Sequence, residues 1–368
     1  MINIPIDTNN INLRNIHYRN IKTQLEDFLI DKRNLQAIGS NEYQFFQWLI
    51  INLDDILIGS VTRLRELINE YNTLLSTFNI RQEFNYRKLT IKEICKILDE
   101  NSINYSKKEK KRYYRKLLIQ NRRQQQIISF NYILKLQYNS YFYNDLEEIF
   151  IKFYEKEWDK IRVYTRYTFV EAHNLNTCPY CNRNYIFIVN KSNNRLRPEI
   201  DHFFPKSLYP FLAMSFYNLI PSCQICNHTK KDKDAFEDNL ISPYEINFQD
   251  FKFKYKPNNI NFYQIKKKTY DAKRFEIILD KLNGVNTNDE YFKLELLYQQ
   301  HKDIVLDLLV KKVIYNKTYI KELKDNFKFT DDEIYRFLLC NYLKEKDFHK
   351  RPLSKLIKDI SEDIGLIL

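Results

Sequence analysis

The chain has 368 residues, with 59 Lys and Arg against 47 Asp and Glu and a formal net charge of +12, and its mean hydropathy is -0.56. This length allows two or three domains, and the absence of any run of about 18 uncharged apolar residues argues against a membrane span. The four glycines, Gly39, Gly59, Gly284 and Gly365, lie too far apart to build a phosphate-cradling loop, which excludes a Walker-type or Rossmann nucleotide site in this chain.

Met1 to Asp7 carries neither the basic nor the apolar region of a secretory signal, so a cytoplasmic protein is expected. The positive balance points to a polyanionic partner, although the richness in Lys, Asn, Ile, Tyr and Phe is also what an AT-rich genome produces. Residues 1–172 read as an α-helical domain for binding a partner or nucleic acid. Apolar residues recur at three- and four-residue spacing in Tyr43–Leu57, Val61–Thr77 and Tyr141–Phe153. Thr90 and Glu93 form a capping-box pattern for a helix through Asp99. From Lys107 to Arg123, nine cations (Lys107, Lys108, Lys110, Lys111, Arg112, Arg115, Lys116, Arg122 and Arg123) face Glu109 alone. This run is either a solvated helix face or a phosphate-tracking helix in which Lys110, Lys111, Arg112 and Arg115 touch nucleic acid while Tyr113 and Tyr114 stack on it.

Residues 173–245 form a second unit, rich in Cys, His and Pro. Tyr185–Val189 predicts a strand, Asn190–Asn194 a turn, and Leu196–Asp201 the returning strand of a hairpin, with Pro198 on an edge. In the third unit, residues 246–368, Phe251–Tyr255 alternates as a strand with Ile260–Ile265 as its hairpin partner. The pattern is helical over Lys273–Leu282 and from Glu290 to the C-terminus, with a capping box at Thr330 and Glu333. The expected fold class is α+β, mainly helical with a small zinc-stapled module between helical N- and C-terminal regions.

Cys178-Pro-Tyr-Cys181 and Cys223-Gln-Ile-Cys226 are two C-x-x-C pairs, the spacing that supplies four thiolates to a tetrahedral structural zinc. A disulfide pair is opposed by cytosolic reduction, and a redox C-x-x-C has no need of a second pair. Cys95 and Cys340 sit in helical patterns and read as core packing.

Phosphodiester hydrolysis needs an activated water and a cation at the phosphate. Between and just after the cysteine pairs, Asp201 offers an anionic oxygen to a hard metal ion, and His202 is a general base. Asn227, at the start of a helix, can complete a Mg2+ or Mn2+ shell, with His228 as the alternative ligand. Asn218 is suited to fix the loop carrying His202, while Lys206, Lys230 and Lys231 would contact phosphate. Each residue also has a plain structural reading: Asp201-His202 as a turn-stabilising pair, Asn218 and Asn227 as turn or cap residues, and Glu199 as either a second carboxylate or a surface group.

The order D-H-F-x-P-K, N-L-x-x-S-C-x-x-C-N-x-x-K over residues 173–245 resembles the HNH endonuclease family. More narrowly, with C-P-Y-C and the later Leu282-Asn283, it is similar to the HNH effector nucleases of bacterial anti-phage systems of the Septu and retron-associated types. The resemblance implies a ββα-metal module with Asp201 and Asn227 as metal ligands, His202 as base, Asn218 as the loop-positioning residue and the four cysteines around zinc. It also implies nucleic acid as substrate, with DNA favoured although an HNH site reads a phosphodiester and not a sugar, and a separate ATPase as partner, in keeping with the missing glycine loops. The competing readings are a catalytically silent zinc-stapled binding or scaffold subunit, and an effector that cuts RNA or tRNA.

Overall fold

A computed structural model describes residues 1–6, 8–77, 91–106, 108–123, 142, 144–191, 194–258, 275–281 and 285–366. Thr90, Lys107, Ile260–Ile265, Leu282-Asn283 and Gly284 lie outside these, so the first capping box and the expected hairpin partner are not described.

The described residues are mostly helical, with three separate two-stranded antiparallel sheets among them. The N-terminal part contributes α1 (Thr8–Asn34), α2 (Asn41–Ile51), α3 (Leu53–Ile58), α4 (Val61–Thr77), α5 (Ile91–Glu100), α6 (Lys111–Arg123) and α7 (Arg166–His173). Spacing explains their packing. In α4, Val61, Leu64, Ile68, Tyr71 and Leu75 are all buried, the three- and four-residue stripe of a helix with one apolar face. Ser40 caps α2 by accepting the Tyr43 N–H. Gly59 ends α3 where a Cβ would lie 2.4 Å from the Asp55 carbonyl, so a larger residue requires a backbone shift there. The segments Glu147–Ile151 and Phe153–Glu157 are π-helical and turn Tyr154 toward the central module.

That module holds β1 (Val189–Lys191) with β2 (Asn194–Leu196), then β3 (Glu199–His202) with β4 (Leu219–Ser222), then α8 (Gln224–Lys230) packed across β3. The expected hairpin is therefore split. Its turn-proximal ends pair as β1 and β2, whereas the strand carrying Asp201 leaves it after Pro198 and pairs with β4, in the register Asp201 to Ile220. Asn227 lies inside α8 rather than at its start, because the helix already begins at Gln224.

In the C-terminal part, β5 (Phe251–Pro257) pairs with β6 (Phe275–Lys281). This corrects the helical expectation for Lys273–Leu282 over its described part, Phe275–Lys281: Phe275, Ile277 and Leu279 are buried in alternation, the period of a strand. Helices α9 to α14 follow over Asn286–Phe292, Leu294–Tyr298, Lys302–Ile314, Lys317–Phe327, Asp331–Leu339 and Ser354–Asp363. The capping box at Thr330 and Glu333 is formed.

One hydrophobic cluster runs from Met1 to Leu366. A second, small one joins α5 and α6 through Ile94, Ile97, Leu98, Tyr114 and Leu118. Tyr114 is buried there with its hydroxyl donating to the Ser106 carbonyl, and Tyr113 packs beside it. Tyr114 is thus a core residue of this cluster and not a stacking platform, while Tyr113 is half-buried, Lys110 and Arg112 remain exposed and Lys111 and Arg115 are half-buried. Cys95 packs against the same cluster, but Cys340 is exposed at the end of α13, contrary to the core role expected for it.

Candidate metal centre and active site

The two C-x-x-C turns meet in the core. The ligand atoms of Cys178, Cys181, Cys223 and Cys226 all lie within 4.8 Å of one another and all four residues are buried. A tetrahedron of sulfurs at about 2.3 Å from zinc has edges of about 3.8 Å, and the Cys181 and Cys223 sulfurs are 4.0 Å apart. Sulfur donors in this geometry fit zinc. The Arg183 backbone N–H and the Asn184 amide point at the Cys181 and Cys223 sulfurs at 3.4 and 3.3 Å, contacts that favour the thiolate form. Burial pushes the Cys178 thiol up, the opposite pull, which a cation among the four sulfurs would offset.

The knuckle is tied into the fold from several sides. Tyr298 donates to the Cys181 carbonyl at 2.7 Å. Asn182, fully buried and left-handed at φ 49°, donates to Thr177 Oγ1 and the Phe348 carbonyl and accepts from Ser354.

Asp201 and His202 sit on β3 beside the knuckle. The Tyr180 hydroxyl, from between the first two cysteines, donates to Asp201 Oδ2 at 2.6 Å. Lys230 Nζ lies 3.2 Å from Oδ2 and 3.3 Å from Oδ1 of the same carboxylate, and donates to the His202 carbonyl at 2.7 Å. Lys230 is fully buried, so it holds Asp201 and is not a surface contact for phosphate. Burial pushes the Asp201 carboxyl up, against the opposing pull of the Lys230 ammonium.

His202 Nε2 is 3.1 Å from the Ala213 carbonyl. A carbonyl only accepts, so Nε2 carries the proton and Nδ1 bears the free lone pair. The edge of Tyr154 covers the ring at 4.5 Å between centroids. Burial, reinforced by Lys206, holds the imidazole down to about 3, so it is neutral. The next carbonyl, Met214, receives Nε2 of His17 from α1 at 2.7 Å, and one loop thus anchors two imidazoles.

Asn218 is the pin of that loop. Its Oδ1 accepts the Phe204 N–H at 2.6 Å, and its Nδ2 donates to the Phe204 and Leu212 carbonyls at 3.0 and 2.9 Å. Asn227 Nδ2 donates to Glu199 Oε2 at 2.6 Å, which turns its Oδ1 away from Glu199. His228 is exposed, with Nε2 3.5 Å from Glu199 Oε1. Glu199 therefore stands between the two alternative ligands. Lys206 is paired with Glu155 at 2.5 Å and lies over the Tyr154 ring, and Lys231, at the end of α8, is exposed.

The oxygen donors Asp201, Asn227 and Glu199 fit the chemistry of a hard divalent cation. In this arrangement, however, the Lys230 ammonium neutralises Asp201, and an ion there must share or displace it. Tyr180, the two carbonyls of the 213–214 loop and the Tyr154 cover escaped the sequence reading. Only Tyr180 carried a signal, its position between two metal ligands.

No family model and no solved structure matches the chain. A 45-residue stretch is 42% identical to Septu protein PtuB of Bacillus thuringiensis, covering 12% of this chain and 18% of that protein. The likeness relates one segment to a Septu protein and leaves the remainder of both chains unmatched. Among the described residues no helix is long and apolar enough to cross a membrane.

Proposed function

We propose that this chain is a metal-dependent endonuclease of the HNH type, acting on nucleic acid, DNA in the first instance, as an effector of an anti-phage defence system. The observation that carries the reading is His202: its Nε2 proton is committed to the Ala213 carbonyl, its Nδ1 is a neutral proton acceptor, and Asp201 is its chain neighbour beside a four-cysteine cluster. Nδ1 takes the proton of the attacking water. A phosphate anion next to the ring favours the imidazolium and raises the low pKa toward a useful range. Asn218 keeps the 204–212 loop, and with it the Ala213 carbonyl, in register. Asp201 and Asn227 would hold Mg2+ or Mn2+, with Glu199 orienting the Asn227 amide. When bound, the ion neutralises charge developing on the phosphate and leaving oxygen.

The likeness to a Septu protein supports the defence role, and the absence of a glycine-rich phosphate loop in the sequence supports a separate ATPase partner. Tyr154 against the His202 ring and Glu155 paired with Lys206 beside it are contacts that a partner could alter, which supports partner gating. The test compares wild type with His202→Ala on plasmid DNA and structured RNA, with Mg2+ or Mn2+, alone and with proteins that co-purify from neighbouring genes. Metal-dependent cutting lost in the variant supports the reading. Equal inertness of both under every condition, with nucleic acid still bound, favours the silent binding subunit instead.

A further inference from the structure

The net charge of +12 is not spread evenly along the chain. Residues 101–144 hold ten Lys and Arg against Glu109 alone, whereas the remainder is close to balance. A bias in genome composition acts on the whole chain, so it does not account for a local excess of this size.

The structure displays the excess on one face. On α6, Tyr114 and Leu118 are buried in the cluster shared with α5. Arg112 and Lys116 each stand two residues earlier, about 200° round the helix axis, and both are exposed. They lie about 6 Å apart along the axis, and the exposed Lys108 and Lys110 precede them in the loop that enters the helix. Among the described residues none of these four cations has a carboxylate partner. By contrast, Lys22, Lys32, Arg63 and Arg166 are each held by one. The acids nearest in sequence are engaged elsewhere: Asp99 of α5 receives the Tyr105 hydroxyl at 3.2 Å, and Glu109 faces the Ser106 hydroxyl at 3.5 Å. Like charges four residues apart on a helix repel, and Lys111 with Arg115 repeats the spacing of Arg112 with Lys116. The face is therefore unfavourable by itself and is relieved by an anion.

Three observations narrow the anion. A helix that lies on a membrane inserts an apolar face, and that of α6 is already covered by α5. Protein interfaces have cores depleted of charge, yet every exposed residue described between 101 and 120 is polar. Single-strand binders present aromatic rings to the bases, but Tyr105, Tyr113 and Tyr114 are none of them exposed. Tyr113 and Tyr114 instead brace the basic loop, accepting the N–H of Ser106 and of Glu109, while Tyr114 donates to the Ser106 carbonyl. What remains is a ligand recognised by its phosphates alone. A duplex carries one charge per about 1.7 Å of its axis, twice the density of either strand.

We infer that Arg112 and Lys116 of α6, with Lys108 and Lys110 of the preceding loop, grip the phosphate backbone of duplex nucleic acid without reading its sequence. The inference rests on the nuclease reading only for its purpose, since binding is measured without cleavage, and the two fail separately. The experiment uses full-length zinc-loaded His202→Ala protein and fluorescence anisotropy. The probes are two labelled DNA duplexes of unrelated sequence and one single strand of equal length, each titrated over a range of salt. Sedimentation with phosphatidylserine vesicles forms a separate arm.

The two duplexes are expected to bind within about threefold of each other and more tightly than the single strand. Arg112→Glu with Lys116→Glu should weaken duplex binding about tenfold or more and flatten the log–log salt slope by about 1.8, close to 0.9 for each phosphate no longer neutralised. Arg112→Gln with Lys116→Gln should flatten it equally, and Arg112→Lys with Lys116→Arg should keep the affinity. Lys321→Glu with Lys328→Glu makes the same change of net charge at exposed lysines of the C-terminal part and should weaken binding less than about threefold. Equal losses in the two charge-reversed proteins overturn the inference, because the effect is then one of net charge. Unchanged duplex affinity in the α6 variants, no binding by the parent at low salt, or tighter binding of the single strand also overturns it. So does vesicle binding lost in the α6 variants with duplex affinity intact, which would make the face a membrane contact. Thermal melts at or above that of the parent exclude misfolding as the cause.

Discussion

Replacing Asn218 with Ala tests the loop on which the candidate base depends. The side chain is fully buried and makes three hydrogen bonds, at 2.6, 3.0 and 2.9 Å, to Phe204 N, Phe204 O and Leu212 O. Each such bond contributes about 0.5–1.5 kcal/mol net, and a buried N–H left without an acceptor costs about 1–3 kcal/mol. The Phe204 N–H is such a donor, while the separate Phe203 N to Asn218 O backbone bond survives the substitution. The expected destabilisation is therefore about 3–5 kcal/mol, read from urea midpoints by circular dichroism at constant m. Asn218→Asp separates the bonds from mere volume. It refills the space and can accept from Phe204 N–H, but sets a carboxylate oxygen against two carbonyls, so it should be destabilised as well. A loss below about 1 kcal/mol in the Ala variant, or full tolerance of Asp, would refute the argument that these bonds hold the loop.

Protein purified with zinc should carry one ion per chain. Chelation should expose four reactive thiols and loosen the C-terminal helices that bond to Asn182 and Cys181, whereas zinc release with an unchanged melting profile would contradict a structural role. Lys230→Met leaves the buried Asp201 carboxylate without its cation, at a cost of about 3–5 kcal/mol; adding Asp201→Asn should recover more than half, and strict additivity in the double-mutant cycle would argue against the pair. His17 and His173 are buried and neutral, each held down to about 4 by desolvation. Since the unfolded imidazole titrates near 6.5, the unfolded chain binds more protons between these values. Stability is then full above about pH 6.5 and falls on acidification toward 4, by about 1.4 kcal/mol per pH unit per histidine. Unfolding midpoints that stay flat from about pH 7 to 5 would sink this assignment.

Helices were legible where an apolar stripe ran for several turns, as in α4, and where a cap was spelled out, as at Thr330 and Glu333. The β6 strand was not. Phe275, Ile277, Ile278, Leu279 and Leu282 satisfy alternation and helical spacing alike, and so short a run does not decide between them; the pairing of Phe275–Lys281 with β5 decides it. The cysteine cluster was legible because metal spacing is local, although the sequence could not say that Tyr180 reaches from that cluster to Asp201.

Lys230 shows a further limit. On α8, Asn227 and Lys230 are three residues apart, which keeps them on one face about 4.5 Å apart along the axis. On β3, Glu199 and Asp201 share a face about 6.6 Å apart. These spacings are close enough for each helix residue to meet one carboxylate, Asn227 on Glu199 and Lys230 on Asp201. A helix rotated by one residue, about 100°, would turn His228 inward instead, and nothing in the linear spacing distinguishes the two phases. The lysine that reads as a phosphate contact therefore becomes the buried counter-charge of the carboxylate expected to hold a metal, and any cation that binds Asp201 has to compete with it.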